Sequence, residues 1–156
     1  MLISRLSASL GVIVMLMVGA AMAAQPLFSV SDGEAVEKAM HDYAATLRAG
    51  TPEAVSLSYT ADGELLLPGL PALHGRDAIK DFLSPMAATT EVESVEIQTQ
   101  TLEVNGKTAN QWGSYRQVAG AKGQPKQTYE GRYAALWHLE GDGRWRLFRL
   151  MMQPMR

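Results

Sequence analysis

Three residues of this chain, Tyr43, Asp62 and His74, have side chains that could carry acid–base or hydrogen-bonding chemistry. A buried tyrosine can donate a hydrogen bond to a carbonyl or enolate oxygen and stabilise the charge that develops there. An Asp or a His beside it could move the proton. Each residue also has a structural interpretation, because a tyrosine can pack in a core and an Asp before a Gly commonly closes an Asx turn.

The histidines do not follow a metal-binding pattern. His41, His74 and His138 are far apart in the sequence, and none has a second ligand at the short spacing typical of zinc sites. We therefore predict no metal and no cofactor. His74 lies in an apolar loop just before Gly75, where we expect it to overhang a cavity.

The amino-terminal segment 1–23 is predicted to be a secretory signal. Arg5 is its only charge, 10–20 is an apolar run, and 21–23 is a small-x-small cleavage site. An uncleaved membrane anchor is the alternative, although the run is short for a spanning helix. We expect residues 24–156 to be exported to the periplasm or the cell exterior, with no membrane contact after cleavage.

Composition indicates one globular domain and excludes some partners. The 14 Lys and Arg residues against 16 Asp and Glu residues give a net charge of −2, and the charges are interspersed. Without a clustered positive face, nucleic-acid binding is not expected. The chain has no Cys, so an exported domain must hold together without disulfides. Its length is sufficient for a hydrophobic core of its own.

Helical periodicity comes first in the chain and strand periodicity follows. The predicted helices cover 31–49 up to Gly50, 51–57, and 75–82 up to a stop at Pro85. The predicted strands cover 64–67 after an Asp62-Gly63 turn, then 92–104, 108–118, 128–139 and 145–153. Three helices followed by an antiparallel meander predict an α+β fold, with the N-terminal helices packed in the concave face of a strongly curved antiparallel sheet.

Three segments carry a family resemblance, and they are HDYAATLRAGTPEAVSLSYTADGELLLPG, HGRDAIKDF and GRYAALWHLEGDGRWRLFRLMM. Their order and spacing resemble the nuclear transport factor 2-like cone fold, which includes ketosteroid isomerase, scytalone dehydratase and the SnoaL-like polyketide cyclases. The resemblance covers nearly all of residues 24–156. It implies one deep cavity, and it implies that the convex sheet face often forms a homodimer.

The same resemblance places Tyr43 where the isomerase branch has its oxyanion-hole tyrosine. It also identifies three positions where these families keep acids, and here they hold Leu67, Ala135 and Leu150. Alkyl groups cannot exchange protons, and general acid–base catalysis contributes of order 100- to 10,000-fold. We therefore expect no strong acid–base machinery.

The inward-facing positions predict an apolar, aromatic-lined pocket suited to a small apolar molecule. Strand alternation also places Tyr129 and Phe148 on this inner face. The alternative is that the same side chains fill the interior as core. The predicted pocket residues are Tyr43, Tyr59, Leu67, Trp112, Tyr133, Ala135, Trp137, Leu150 and Met152.

Three functions remain open at this point. The first is an exported domain that binds a small apolar molecule without strong acid–base chemistry. The second is an enzyme of isomerase, cyclase or dehydratase type that uses Tyr43 with Asp62 or His74. The third is a protein-interaction module whose cavity is filled.

Overall fold

The computed structural model describes residues 30–155. The predicted signal over 1–23, its cleavage site and the alternative of a membrane anchor lie outside these residues. Of the helices between residues 30 and 155, none has the length and apolar character needed to cross a bilayer.

Three helices precede the long strands, as predicted: α1 (Val30–Ala49), α2 (Pro52–Leu57) and α3 (Gly75–Thr89). Gly50 ends α1 with a φ of 64°, a left-handed conformation that Gly adopts without steric cost, and its amide donates to the Leu47 carbonyl at 3.2 Å. Pro52 then starts α2 at a position where no amide hydrogen is needed. These two residues set the sharp corner between α1 and α2.

Helix α3 is longer than predicted, because Pro85 lies inside it and does not end it. A proline removes one backbone hydrogen bond from a helix, but packing can retain the turn that follows. Leu83 packs against the hydrophobic core and Met86 lines a cavity next to it. The prediction that Pro85 stops the helix is therefore wrong.

Within residues 30–155, six strands form one sheet in the order β2-β1-β6-β5-β4-β3. The four long strands form the predicted antiparallel meander, while β1 runs parallel to β6 and makes the whole sheet mixed. The α+β cone fold is thus confirmed. The strands are β1 (Tyr59–Leu66), β2 (Leu73–His74), β3 (Thr90–Asn105), β4 (Thr108–Ala121), β5 (Gln127–Leu139) and β6 (Trp145–Pro154).

The Asp62-Gly63 pair, predicted as a turn, lies within β1. Pairing with β6 jumps from Tyr59–Leu147 to Glu64–Arg149, so five steps along β1 match two along β6. A Cβ on Gly63 would meet the Leu147 carbonyl oxygen at 2.9 Å. Gly63 therefore allows the bulged strand to lie close to β6, and the Asp-Gly pair marks a bulge where a turn was expected.

Cross-strand register separates the two faces of the sheet. Gln111, Ala135 and Leu150 are direct neighbours in one inner row, and all are buried. Trp112 belongs to the adjacent outer row and is 41% exposed, so its predicted place in the pocket is wrong. Tyr115, on the opposite face of the same strand, is the buried aromatic.

Phe148 also lies on the outer face, contrary to the prediction. A register shift next to Trp137 places Leu147 and Leu150 on the inner face, so alternation fails across Phe148. The Phe148 ring stacks on His138, with 4.3 Å between the ring centroids. Simple alternation could not locate this bulge.

Candidate ligand site

A cavity of about 470 Å³ lies between α1, α3 and the inner face of the sheet. Its volume is within the range of small-molecule sites, about 300–1,000 Å³. None of its lining residues within 30–155 is charged. The lining comprises Tyr43, Leu47, Leu65, Leu67, Pro68, Phe82, Leu83, Met86, Thr90, Tyr115, Gln117, Ala119, Gly120, Ala121, Tyr129, Met152 and Pro154.

The predicted pocket residues divide into two groups. Tyr43, Leu67 and Met152 line this cavity. The remaining inward-facing ones are packed in the core next to it and do not line it. This second group is Tyr59, Tyr133, Ala135, Trp137 and Leu150. One part of the interior is therefore filled, and the part next to α3 is open.

Tyr43, which lines the cavity, forms a buried pair with Tyr59. Their hydroxyl oxygens are 3.3 Å apart, and their rings meet edge to face with 6.0 Å between centroids. Burial raises the pKa of Tyr43 to about 12 and raises the pKa of Tyr59 well above its usual value. Both phenols are therefore neutral and protonated at physiological pH.

The geometry of this pair leaves one proton available to a ligand. In the described part of the chain, the Tyr59 hydroxyl has no side-chain partner other than Tyr43. When Tyr59 donates to Tyr43, the Tyr43 hydroxyl can donate its own proton to an acceptor in the cavity. Tyr43 is the member of the pair that lines the cavity.

Asp62 and His74 do not join Tyr43. The Asp62 carboxylate is exposed and accepts a hydrogen bond from the Thr60 hydroxyl at 2.9 Å. His74 lies on the outer face, with its Nδ1 atom 3.0 Å from a carboxylate oxygen of Glu64. Within residues 30–155, no hydrogen bond or ion pair links either side chain to Tyr43, so no contact supports the predicted catalytic combination.

Glu64 anchors the outer group to which His74 belongs. The Arg149 guanidinium donates to Glu64, and together with His74 it lowers the pKa of that carboxyl group, the Arg149 hydrogen bond being the larger cause. Glu64 pairs with His74 on one side and Arg149 on the other across three adjacent strands. The three side chains therefore form a row of ion pairs on the outer surface of the sheet.

A buried polar cluster, which the sequence analysis missed, joins α1 to the sheet. Gln111 is fully buried, and its Nε2 donates to Thr99 Oγ1 at 2.9 Å and to Glu37 Oε2 at 3.2 Å. Its Oε1 accepts a hydrogen bond from Trp137 Nε1 at 3.0 Å. Gln111 therefore uses both ends of its amide to connect two strands with a helix.

The direction of every hydrogen bond in this cluster follows from Trp137, because an indole N–H can only donate. The amide oxygen of Gln111 must face the indole, so its NH₂ group faces Thr99 and Glu37. The Thr99 hydroxyl donates to Glu37 at 2.9 Å, which leaves Tyr133, 3.3 Å away, to donate to Thr99. Thr99 and Gln111 both donate to the Glu37 carboxylate, so the cluster holds α1 against the sheet.

A second cavity, of about 260 Å³, adjoins the first. It lies where the carboxyl ends of α1 and α3 meet the start of β3 and the end of β4. Its lining includes Arg48 and Lys122. The two cavities share a wall formed by Leu47, Leu83, Met86, Thr90 and Gln117. We call this second cavity the side chamber.

No group of three or more His, Asp or Glu side chains between residues 30 and 155 could hold a metal ion. The described residues therefore form a cavity with hydroxyl and amide side chains in its wall, Tyr43 among them, a buried polar cluster that is internally satisfied, and a charged side chamber.

Solved structures from several bacteria share this fold. A ketosteroid isomerase-like protein from Erwinia carotovora atroseptica has a TM-score of 0.72 and 18% identity, covering 82% of this chain and 99% of its own. A protein of unknown function from Mycobacterium tuberculosis has a TM-score of 0.74 and 17% identity, with coverages of 82% and 79%. An NTF2-like protein with a cystatin-like fold from Novosphingobium aromaticivorans has a TM-score of 0.67 and 20% identity, with coverages of 80% and 82%.

These identities are low, so the neighbours establish the fold and do not identify a substrate. No match was found among curated proteins. The family model for the SnoaL-like domain matches residues 29–151, which is most of the chain. The chain belongs to the SnoaL-like domain family.

Proposed function

We propose that this protein is an exported binding protein for a small, mainly apolar molecule that carries a hydrogen-bond acceptor. The single observation that carries the proposal is the cavity without charged lining residues between residues 30 and 155, with Tyr43 in its wall. Burial of apolar ligand surface supplies the binding free energy, and one directed hydrogen bond orients the ligand.

The chemistry of the interior favours binding over proton transfer. Of the three positions where related families keep acids, Leu67 lines the cavity while Ala135 and Leu150 are buried beside it. The carboxylate of Glu37 is occupied by Thr99 and Gln111. Tyr43 remains as a hydrogen-bond donor whose raised pKa of about 12 opposes its use as a base at neutral pH.

The Tyr43→Phe variant tests this assignment with two ligands of similar shape. We expect its affinity for 2-acetylnaphthalene to fall about 3- to 10-fold, the usual value of one net hydrogen bond. Its affinity for 2-ethylnaphthalene, which has no acceptor, should not change. Fluorescence titration of both ligands measures the difference.

Tyr133→Phe is the matched control, because its hydroxyl is buried but does not line the cavity. It should bind both naphthalenes as the native protein does. If Tyr43→Phe loses the same factor in affinity for 2-acetylnaphthalene and for 2-ethylnaphthalene, the hydroxyl only shapes the cavity and donates no hydrogen bond to the ligand. Failure of both ligands to bind the native protein would reject the proposed site.

Export forms part of the same proposal, and it rests on the amino-terminal sequence alone. Expression of the full chain in a Gram-negative host should yield a periplasmic protein that begins at Ala24. Amino-terminal sequencing of that fraction measures the cleavage point. A protein that keeps Met1 and sediments with membranes would instead indicate a retained anchor.

We also propose that the outer sheet face pairs two copies of the chain. Leu66, Met151, Ala134 and Trp112 are successive neighbours in one row across four strands, and this row is apolar. Met151 is 52% exposed and Trp112 is 41% exposed. Exposed apolar rows of this kind are typical of subunit interfaces.

Light scattering coupled to gel filtration should give the mass of a dimer for the native protein. A glutamate at Met151 would place a charge at the centre of the row, so Met151→Glu is expected to be monomeric. Leu57→Glu, at a similarly exposed position on α2, is the control and should remain dimeric. A native monomer would contradict the proposal.

A further inference from the structure

We infer that the ligand is an amphipathic acid, with its apolar body in the main cavity and its carboxylate in the side chamber. This inference rests on the proposed binding function and specifies the chemical class of the ligand. Two observations support it. The two cavities are adjacent, and among the described residues the charged lining side chains belong to the side chamber.

The two cavities are neighbours and share a wall that is mainly apolar. Leu47 comes from α1, while Leu83 and Met86 come from α3, and all three side chains contribute to both cavities. Met86 is 47% exposed and unbranched, so its side chain can change rotamer to let an alkyl chain pass. A flexible ligand can therefore occupy both spaces at once.

Charge is distributed unequally between the two cavities. Among the residues that the structure describes, the main cavity has no charged lining side chain, whereas the side chamber has Arg48, Lys122 and Glu91. Glu91 is already bound, because Lys126 Nζ lies 2.8 Å from its carboxylate and is the main reason its pKa is lowered. Across residues 30–155, neither Arg48 nor Lys122 lies within ion-pairing distance of a carboxylate.

The two cations come from different elements of the fold. Arg48 lies in the last turn of α1, where its charge also offsets the partial negative charge of the helix terminus. Lys122 follows β4, and its backbone amide donates to the Thr89 carbonyl at 2.9 Å, which fixes this loop against the end of α3. An anion bound in the side chamber would meet the positive charges of Arg48 and Lys122. The carboxylate of Glu91, which also lines the chamber, is already paired with Lys126.

The opposite orientation of the ligand is unfavourable. A carboxylate in the main cavity would lose its hydration without gaining a cation, which is a large desolvation penalty. The Tyr43 hydroxyl can satisfy a neutral acceptor but does not neutralise a charge. The ligand should therefore direct its anionic end to the side chamber and its neutral end toward Tyr43.

Isothermal titration with decanoate and decan-1-ol, which have the same chain length, tests the inference. The native protein should bind decanoate at least about fivefold more tightly at low ionic strength, a modest margin because the cations are partly solvated. The preference should shrink as salt screens the charges. Decan-1-ol measures the contribution of the apolar cavity alone.

The double variant Arg48→Gln/Lys122→Gln should bind decanoate and decan-1-ol with equal affinity. Its affinity for decan-1-ol should be the same as that of the native protein. The matched control is Arg132→Gln/Lys107→Gln, which removes the same charges at exposed positions outside both cavities. This control should keep the preference for decanoate.

The possible outcomes separate the inference from the proposed function. Tight binding of decan-1-ol with no preference for decanoate would overturn the inference and leave the binding function intact. A preference that the Arg132/Lys107 control loses as well would show a general charge effect and would also overturn the inference. Failure of both ligands to bind would overturn the proposed function itself.

Discussion

Replacing Ala119 by Trp is expected to abolish ligand binding. Ala119 is 4% exposed and contributes its methyl group to the main cavity. An indole at this position would occupy the space of the ligand's apolar body. Excluding about four methylene groups at ~0.8 kcal/mol each removes about 3 kcal/mol of binding free energy, roughly a 100-fold loss of affinity for decan-1-ol.

The larger side chain could also disturb folding, so the experiment includes a measurement of stability. Urea unfolding should show that Ala119→Trp remains folded, because its indole extends into open space. Ala119→Leu, which fills less of the cavity, should give an intermediate affinity. Ala45→Trp, at an exposed position on α1, is the control for a new tryptophan and should bind normally.

A folded Ala119→Trp protein that binds decan-1-ol as tightly as the native protein would place the ligand elsewhere. The experiment therefore tests the location of the site independently of Tyr43 and of the charges in the side chamber.

The overall fold could be predicted because its patterns are local. A period of three to four residues predicted α1, and a period of two with Gly-containing turns predicted the four long strands. The parallel pairing of β1 with β6 could not be predicted in this way, because it joins segments about 90 residues apart and depends on a bulge at Gly63. Long-range register is a property of packing and has no local signal.

Part of the candidate site could be predicted, and its errors have identifiable causes. Tyr43 was proposed as a site residue from its position on α1 and the family resemblance, and its side chain lines the cavity. Trp112 was placed on the wrong face because alternation separates Trp112 from Tyr115 but does not show which of the two faces the helices. Phe148 was misplaced because alternation reverses at a bulge.

The Glu37 cluster was missed for a different reason. A glutamate among other charged residues on a helix resembles a solvent-exposed position, and the family resemblance points to acids at positions of the sheet. One local signal was present. Gln111 lies between Ala109 and Gly113 on the inward face of β4. A polar side chain among small inward-facing residues indicates a buried partner, and here that partner is supplied by α1.

Replacing Gln111 by Leu should therefore destabilise the protein, although leucine is the more hydrophobic residue. The change removes the acceptor of the Trp137 indole N–H and the donor to Thr99 and Glu37. The Trp137 indole N–H is then left without a partner, while Thr99 and Glu37 remain bonded to each other, so the free energy of unfolding should fall by about 1–3 kcal/mol. Urea denaturation with an unchanged m-value measures this quantity.

A double-mutant cycle separates the network from simple packing. Trp137→Phe removes the indole donor, so combining it with Gln111→Leu should cost less than the sum of the single changes, by about 1 kcal/mol. Gln100→Leu, at an exposed position on β3, is the matched control and should change stability by less than about 0.5 kcal/mol. A neutral or stabilising Gln111→Leu variant would show that hydrophobic burial outweighs these hydrogen bonds, and that packing alone holds α1 on the sheet.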